Sequence, residues 1–266
     1  MCLTFAIIKE KNHRIKEMRI PTPLVDLHTH TIASDHAEGS WEEMAQAAFE
    51  KGLQAFAVTE HGPSIFRSPH IGYFANLSRI APKDLPVVML YGVEDDLIDT
   101  DGKTALPDEV KAQLDIVLLG THTFGWVRNV LLSDIKKGLY KAMENPNIDV
   151  ISHPVNPWYP MDYVEIAKVA LDTDTVLEFN LSKIDFQETE WRKFLGVAAE
   201  YKLPIIISSD SHSTDRIGFD NLPYEWLEGI EPSQIMNRDL PTVVDRFKIR
   251  RPEVIARADE LRKEAK

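Results

Sequence analysis

One pattern organises this sequence, and it first occurs at Leu24-Val25-Asp26-Leu27-His28-Thr29-His30, where a short apolar run ends in two histidines. Similar apolar runs, each followed by an imidazole or a carboxylate, recur along the chain. The candidate side chains at or just beyond these run ends are His28, His30, His36, His61, Glu94, His122, His153, Asp210 and His212. If the runs are parallel strands of one barrel, these side chains converge on one mouth. Such convergence indicates a multinuclear metal site.

Seven apolar runs alternate with helical patterns, which predicts βα units and a parallel sheet. The predicted strands are Leu24–Leu27, Ala55–Thr59, Val87–Val93, Ile116–Gly120, Ile148–Ser152, Thr175–Asn180 and Ile205–Ser209. The predicted helices are Trp41–Lys51, Ser133–Met143 with Ser133 as N-cap, Asp162–Leu171, Trp191–Tyr201 and Pro252–Lys263. We expect an α/β fold, a closed or nearly closed (β/α)7 barrel. A doubly wound open sheet is the alternative, but it gathers side chains only near its switch point, whereas six of these seven runs end in a candidate ligand.

The composition favours a single domain and argues against nucleic acid or a membrane as a partner. The 266 residues are 44% hydrophobic, carry a formal net charge of -12 and include 1 cysteine. We expect a single domain over residues 1–266, with an N-terminal extension at 1–20, the motif-bearing core at about 22–218 and a helical segment at about 240–266. The acidic charge makes nucleic acid an unfavourable partner, since such binding is mainly electrostatic. The single cysteine and the absence of a long apolar span predict a cytoplasmic protein without a membrane segment; the sequence does not indicate an oligomeric state.

Two histidine motifs have a spacing that suits metal binding. In His28-Thr29-His30 and in Asp210-Ser211-His212, residues i and i+2 of a strand point to the same face and can share a cation. Glu94 at another strand end is suited to bridge two cations, because each carboxylate oxygen can bind one. Any one of these residues alone is more often structural. Their joint occurrence on successive strand ends is what indicates a functional site.

Some candidates lack this placement. His36 lies in the loop at 33–39 rather than on a strand. Arg128 follows His122 and is a candidate to bind a phosphate bidentately, with a solvated loop arginine as the alternative. Arg67 and Arg216 are weaker candidates of the same kind. His70 is a candidate to protonate a leaving group, although a role in an ordinary loop fits it as well.

The ordered motifs resemble one known family. They are Asp26-Leu27-His28-Thr29-His30-Thr31, Thr59-Glu60-His61-Gly62, Glu94, His122, Ile151-Ser152-His153-Pro154 and Ser209-Asp210-Ser211-His212. The chain resembles the PHP (polymerase and histidinol phosphatase) family of metal-dependent phosphoesterases over roughly residues 22–218, and most closely its YcdX-like phosphatase branch. One departure is Glu60, where the family usually has aspartate; it puts the orientation of the neighbouring His61 in question.

The resemblance implies a distorted (β/α)7 barrel, TIM-like, with three divalent metal ions at the C-terminal mouth of the strands. It implies one metal held by His28, His30, Glu94 and Asp210, a second by Glu94, His122 and His153, and a third by His36, His61 and His212. Zinc is the first expectation for the metals, with manganese or iron as alternatives.

We expect hydrolysis of a small phosphomonoester by metal-activated water, with Glu94, Asp210, His122 and Arg128 as the catalytic residues. A phosphodiesterase, an exonuclease and a histidinol-phosphatase are alternatives within the family. An amidohydrolase-like C–N hydrolase is another, but it usually has a bridging modified lysine, and no lysine ends a predicted strand. A non-catalytic metal-binding module is the remaining alternative; structural metal sites are small and closed, unlike this set.

Overall fold

Seven parallel strands in chain order form the framework of the computed structural model, which describes residues 20–122 and 126–265. The strands are β1 (Val25–Thr29), β2 (Ala55–Val58), β3 (Val88–Asp96), β4 (Ile116–Gly120), β5 (Val150–Ile151), β6 (Val176–Asn180) and β7 (Ile205–Ser208). Each strand pairs in parallel with the next one. This arrangement is the predicted distorted, TIM-like (β/α)7 barrel.

The helices lie between and after these strands. They are α1 (Trp41–Glu50), α2 (Ile71–Phe74), α3 (Leu77–Ile80), α4 (Asp108–Lys111), α5 (Leu132–Ala142), α6 (Tyr163–Thr173), α7 (Ile184–Tyr201), α8 (Leu240–Arg246) and α9 (Pro252–Glu264). Short 3-10 helices are Ile32–Ser34, Trp126–Asn129, Leu181–Lys183, Tyr224–Leu227 and Pro232–Gln234. No helix in the part of the chain that the structure describes is long and apolar enough to cross a membrane.

The first and last strands meet, so the sheet is a barrel and not an open sheet. Thr29 and Ser211 form a parallel bridge, and the His30 N–H donates to the Ser211 carbonyl at 2.8 Å. At the other end of this junction, the buried Asn237 amide donates to the carbonyls of Val25 and Ile207 at 2.7 and 2.5 Å. Its carbonyl oxygen accepts the Ile207 N–H at 3.0 Å. One side chain therefore supplies the hydrogen bonds that the two strands do not make to each other there.

The core has two layers. Strand residues that face into the barrel, such as Leu90, Val176 and Ile206, pack with residues of α8 and α9. Residues on the outer strand faces pack against the surrounding helices. The two C-terminal helices therefore close the bottom of the barrel, and the opposite end stays available for a site.

Alternation along each strand explains why polar side chains gather at that opposite end. On β3, Leu90 faces inward, and the inward positions that follow are Gly92 and Glu94. A Cβ at Gly92 would lie 2.7 Å from the Thr59 side chain and 2.9 Å from that of Ile116, so only glycine fits this crowded level. On β6, Val176 is followed by Glu178 in the same way. The barrel interior thus changes from apolar to ionisable over four residues of β3 and two residues of β6.

Some predicted boundaries were wrong. Strand β3 continues to Asp96, three residues past the predicted end, and β5 contains only Val150 and Ile151. Helix α5 begins at Leu132 with Leu131 as N-cap, so Ser133 lies inside the first turn and is not the cap. Helix α7 begins at Ile184, ahead of the predicted start, with non-helical backbone angles at Gln187. The predicted N-terminal extension lies outside the described residues apart from the buried Ile20.

Candidate metal centre

The two i, i+2 motifs meet across the junction of β1 and β7. The Nε2 atoms of His28 and His30 lie 3.1 Å apart. The Asp210 Oδ1 atom is 3.5 Å from the first and 3.4 Å from the second. All three side chains are buried. The pairing of β1 with β2 shifts register between Asp26 and Thr29, next to this motif. The structure therefore brings together side chains that are far apart in the sequence, as expected of strand ends in one barrel.

Glu94 is at the centre of the cluster. Its Oε2 atom lies 3.4 Å from His28 Nε2, 3.6 Å from His30 Nε2, 2.9 Å from His61 Nδ1 and 3.2 Å from His122 Nε2. Its Oε1 atom accepts from Ser152 Oγ at 2.8 Å and lies 2.7 Å from His153 Nε2. Four imidazoles thus lie at one oxygen of this carboxylate and His153 lies at the other, so the two oxygens could bind different cations.

Three further imidazoles meet at the outer edge of the cluster. His36 Nε2 lies 3.2 Å from His61 Nε2 and 3.0 Å from His212 Nε2. His36 reaches this position from the loop after β1, where Ile32–Ser34 forms a 3-10 helix and Asp35 has a positive φ of 62°. His61 faces both His36 and Glu94 through different nitrogens, so the groups overlap. Three sets have the spacing to hold a metal ion: His30 with His61 and His212, His28 with His30 and Asp210, and His61 with Glu94 and His122.

Buried carboxylates fix the orientation of these rings. Glu178 on β6 accepts from His28 Nδ1 at 2.6 Å and from the His153 backbone N–H at 2.5 Å. Asp96 accepts from His122 Nδ1 at 2.7 Å. With Nδ1 of His28 and of His122 directed at a carboxylate, the Nε2 atom of each ring faces the centre, the orientation in which imidazole binds metals.

Glu60, the departure from the usual family pattern, acts mainly through a serine. Its carboxylate accepts hydrogen bonds from the Thr31 and Ser34 hydroxyls. The Ser34 Oγ lies 3.3 Å from His30 Nδ1 and accepts the His61 N–H at 3.3 Å. Glu60 therefore supports His30 and the backbone of His61, and it does not contact the His61 ring.

Glu178 and Asp96 were missed in the sequence. The run Thr175–Asn180 was the one predicted strand without a candidate ligand, yet its inward positions hold Glu178 and Asn180. A charged residue in an otherwise apolar strand, in phase with the inward Val176, was the available indication. Asp96 was hidden because the predicted strand ended at Val93.

Charge compensation at the centre is strong. Burial by itself opposes ionisation of Glu94, but the imidazoles of His122, His28 and His153 hold its pKa well below the usual value. Burial likewise opposes the charged form of Asp210, and His28, His30 and Lys183 hold its pKa low. For His28, burial disfavours the cation, yet Glu178, Glu94 and Asp210 raise its pKa well above the usual value. These carboxylates therefore favour a positive charge at the point where the nitrogens converge.

Backbone strain also concentrates here. His153 and Asp210 have positive φ angles of 31° and 51°, which non-glycine residues rarely adopt. Such strain persists where surrounding contacts enforce it, and it is common at functional sites.

The donor set fits divalent metal ions. Tetrahedral ligands at about 2.0–2.1 Å from a zinc ion are about 3.3 Å from one another. Five of the six spacings among the ligand atoms of His28, His30, Glu94 and Asp210 are 3.1, 3.4, 3.5, 3.6 and 3.4 Å. The buried atoms His61 Nδ1 and Glu94 Oε2 have no hydrogen-bond partner within residues 20–122 and 126–265. A bound cation would satisfy both atoms, which lie 2.9 Å apart and would otherwise be buried without a partner.

The remaining candidates are not part of this cluster. Arg128 is exposed on the 3-10 helix Trp126–Asn129 and makes no ion pair with the described residues. Arg67 is held by Asp35 at 2.9 Å. The ring of His70 accepts the Gly72 N–H at 3.0 Å and caps α2. Arg216 is exposed beyond the cluster.

Comparison with known proteins gives the same family. A sequence profile of the PHP domain matches residues 26–153. A probable phosphatase of Caldanaerobacter subterraneus subsp. tengcongensis is 35% identical over 230 residues, which cover 85% of this chain and 89% of the relative. The chain belongs to the PHP family. A probable phosphatase of Clostridium acetobutylicum is 30% identical over 231 residues and covers 85% of this chain and 94% of its own length.

Two solved structures share the fold at low sequence identity. A chain in the cryo-EM structure of archaeal ribonuclease P with mature tRNA superposes with a TM-score of 0.56 at 17% identity, covering 84% of this chain and 90% of that chain. The histidinol phosphate phosphatase of Lactococcus lactis subsp. lactis, complexed with zinc, L-histidinol and phosphate, gives a TM-score of 0.52 at 15% identity, with coverages of 86% and 95%. At these low identities, the two structures support the fold of this PHP protein and nothing more specific.

Proposed function

We propose that this PHP protein is a metal-dependent phosphatase that hydrolyses small-molecule phosphomonoesters at a cluster of three divalent cations. Its assignment as a phosphoesterase follows from the family and from the curated relatives, which are named probable phosphatases. The observation that carries the proposal is the meeting of seven imidazoles around Glu94 and Asp210 at one end of the barrel. The zinc and phosphate bound by the Lactococcus lactis phosphatase of the same fold support this choice.

The proposed ligand sets are those that the family resemblance implies, and short contacts in the cluster support them. His28, His30, Glu94 and Asp210 would hold the first cation. Glu94, His122 and His153 would hold the second, since the Nε2 atoms of both histidines lie within 3.2 Å of a Glu94 oxygen. His36, His61 and His212 would hold the third. Zinc suits these imidazole-rich sets, and manganese and iron are the alternatives.

Divalent cations bound by these residues would supply a water activated at neutral pH and would neutralise charge on phosphate oxygens. Hydrolysis forms a bond between the water oxygen and phosphorus and breaks the bond between phosphorus and the ester oxygen. One water proton ends on the leaving alcohol, and the other is shared by inorganic phosphate and solvent.

The chain's own residues keep both central carboxylates charged and the ring of His30 neutral. The low pKa of Glu94 and of Asp210 leaves both carboxylates charged at neutral pH. Burial lowers the pKa of His30, so its ring stays neutral and keeps a lone pair for a metal. Arg128 remains a proposed phosphate ligand on the strength of its position after β4.

A small substrate fits the charge of the protein better than a nucleic acid does. The formal net charge of -12 opposes a long polyanion, because binding along a phosphate backbone depends on many cationic contacts. A single phosphoryl group needs only local positive charge, which bound cations supply.

The test is a side-by-side assay of the zinc- or manganese-loaded protein on a chromogenic phosphomonoester and the corresponding diester. We expect a strong preference for the monoester and no turnover by the Glu94→Ala variant, which should also lose at least one equivalent of metal. A preference for the diester would replace the proposal with a phosphodiesterase. Full activity in Glu94→Ala would contradict the proposed site.

A further inference from the structure

Lys183 lies at the mouth of the barrel, beside the proposed metal centre. It ends the 3-10 helix Leu181–Lys183, which follows β6 directly. Its Nζ atom is 3.4 Å from Asp210 Oδ2, and 46% of its side chain is exposed, whereas that of Asp210 is 4% exposed. A cationic group therefore extends from solvent to a buried carboxylate that is a proposed metal ligand.

Asp210 does not depend on Lys183 for hydrogen bonds. Its Oδ2 atom accepts from Ser182 Oγ at 2.8 Å and from Asn180 Nδ2 at 3.2 Å. Its Oδ1 atom faces the nitrogens of His28 and His30. The contact with Lys183 is a long ion pair, and within the described residues the ammonium donates no hydrogen bond. Its N–H groups are therefore available to a ligand that enters the mouth.

Lys183 differs in this from the other cations near the mouth. Among the described residues, no other lysine or arginine forms an ion pair with a carboxylate of the cluster. Arg67 is paired with Asp35 outside the cluster, and Arg128 and Arg216 are exposed without such a pair in the same part of the chain. An anion approaching the proposed cations would therefore meet Lys183 beside the buried metal ligands.

We propose that Lys183 binds a non-bridging oxygen of the substrate's phosphoryl group. This inference rests on the proposed phosphatase function and adds a substrate-binding residue to it. An ammonium group binds phosphate as a compact point charge with three donors, and its flexible stem lets it move from Asp210 to the ligand. Asp210 keeps its bonds from Ser182 and Asn180 when the ammonium moves, so the movement leaves no buried acceptor unpaired.

Lys183 is placed poorly for the bridging modified lysine of amidohydrolases. That role requires a position between two cations, and Glu94 occupies the central position here, with imidazoles at both of its oxygens. Lys183 contacts the outer oxygen of Asp210 instead. The position suits contact with a ligand that arrives from solvent.

The experiment compares Lys183→Met and Lys183→Arg with wild type and with Lys193→Met. Lys193 is a matched control, because it is also a half-exposed lysine paired with a carboxylate, Glu190, at 2.7 Å on the surface of α7. The zinc-loaded proteins are measured for inhibition by inorganic phosphate, for KM and kcat on the monoester and for metal content. A charge-assisted hydrogen bond predicts that Lys183→Met weakens phosphate inhibition and raises KM roughly 10-fold to 100-fold.

We expect Lys183→Arg to retain most of the phosphate affinity, Lys193→Met to match wild type, and all variants to keep their metal. Unchanged phosphate inhibition in Lys183→Met would overturn the inference. Loss of metal from Lys183→Met would also overturn it, because the residue would then act through Asp210. A wild-type protein that neither binds phosphate nor hydrolyses the ester would instead overturn the proposed function.

Discussion

Glu178 shows how much of this centre depends on residues that need not touch a metal. Its two oxygens contact His28 Nδ1, the Ser208 hydroxyl, the His153 backbone and the Asn180 amide. The carboxylate thus orients one ring and one backbone segment of the proposed ligand set. Its pKa stays below the usual value, because His28 and His153 outweigh the effect of burial.

Replacement of Glu178 by glutamine should weaken metal binding with little change in shape. Glutamine keeps the length of the side chain but replaces one acceptor oxygen with a donor and removes the charge opposite His28. We expect metal affinity to fall roughly 10-fold to 100-fold, measured by competition with a chelator. Glu190→Gln, at an exposed position on α7, is the control. Equal affinity in Glu178→Gln and wild type would show that the carboxylate does not support the site.

The sequence predicted the residues with unusual chemistry and missed those that orient them. His28 and Asp210 were recognised because an imidazole or carboxylate at the end of an apolar run is uncommon. Glu178 and Asn180 lie within a strand, where their inward direction follows only from the phase of the neighbouring Val176. The Ser34 hydroxyl donates to Glu60 and accepts the His61 N–H, and both bonds depend on a loop geometry that sequence periodicity does not specify.

At the scale of elements, Asp149 connects two strands below the site. It precedes β5, and its Oδ2 atom accepts the Val117 N–H of β4 at 2.8 Å. Burial raises the pKa of Asp149 from 3.8 to about 6, against the effects of the Val117 N–H and Arg246. The folded protein therefore holds the Asp149 proton more tightly than the unfolded chain does.

This pKa shift gives a defined dependence of stability on pH. Well below pH 3.8 the carboxyl group is protonated in both states; between about pH 4 and 6 the unfolded chain releases the proton that the folded protein still holds, which favours unfolding. Relative to Asp149→Asn, which keeps an acceptor oxygen, wild type should lose about 2 kcal/mol of unfolding free energy between pH 4 and 6. Urea unfolding of the metal-free proteins measures this difference, with Asp101→Asn at an exposed position as control. A difference that stays constant with pH would contradict the assignment.

Element boundaries were predicted where apolar periodicity marks them and missed where it does not. Helix α1 follows the prediction closely because Ser40 and Glu43 form the expected capping box. The N-cap of helix α5 is Leu131, two residues before the expected Ser133, and it makes no side-chain hydrogen bond, so the serine pattern was misleading. Strand β3 extends into a polar stretch because barrel pairing with β4 continues through Asp96.

At the scale of the whole molecule, the barrel is closed by a residue without any sequence motif. Asn237 is fully buried and satisfies backbone groups of both β1 and β7. The strand count predicted a nearly closed barrel, but nothing in the sequence indicated which side chain completes it. The proposed division of the chain into an extension, a core and a C-terminal helical segment stays a prediction, although α8 and α9 do pack under the barrel.

Substitution of Asn237 by alanine should destabilise the closure of the barrel. Two carbonyls and one N–H would lose their buried partner, which costs about 3 kcal/mol of unfolding free energy in total. Chemical denaturation measures this loss, and faster hydrogen exchange at the Ile207 amide would localise it. Asn145→Ala, whose amide contacts the exposed Asp108, is a suitable control. A variant as stable as wild type, with unchanged exchange at Ile207, would show that the closure does not depend on this side chain.

The central claim is that phosphate release depends on cations held by the histidine and carboxylate cluster. Its most direct test is the rate of phosphate release from a chromogenic phosphomonoester as zinc or manganese is returned to protein freed of metal by a chelator. We predict no release from the metal-free protein and a rate that rises to a plateau as the three proposed cation positions fill. Release that persists after complete removal of metal, or no release at any metal content, would contradict the account.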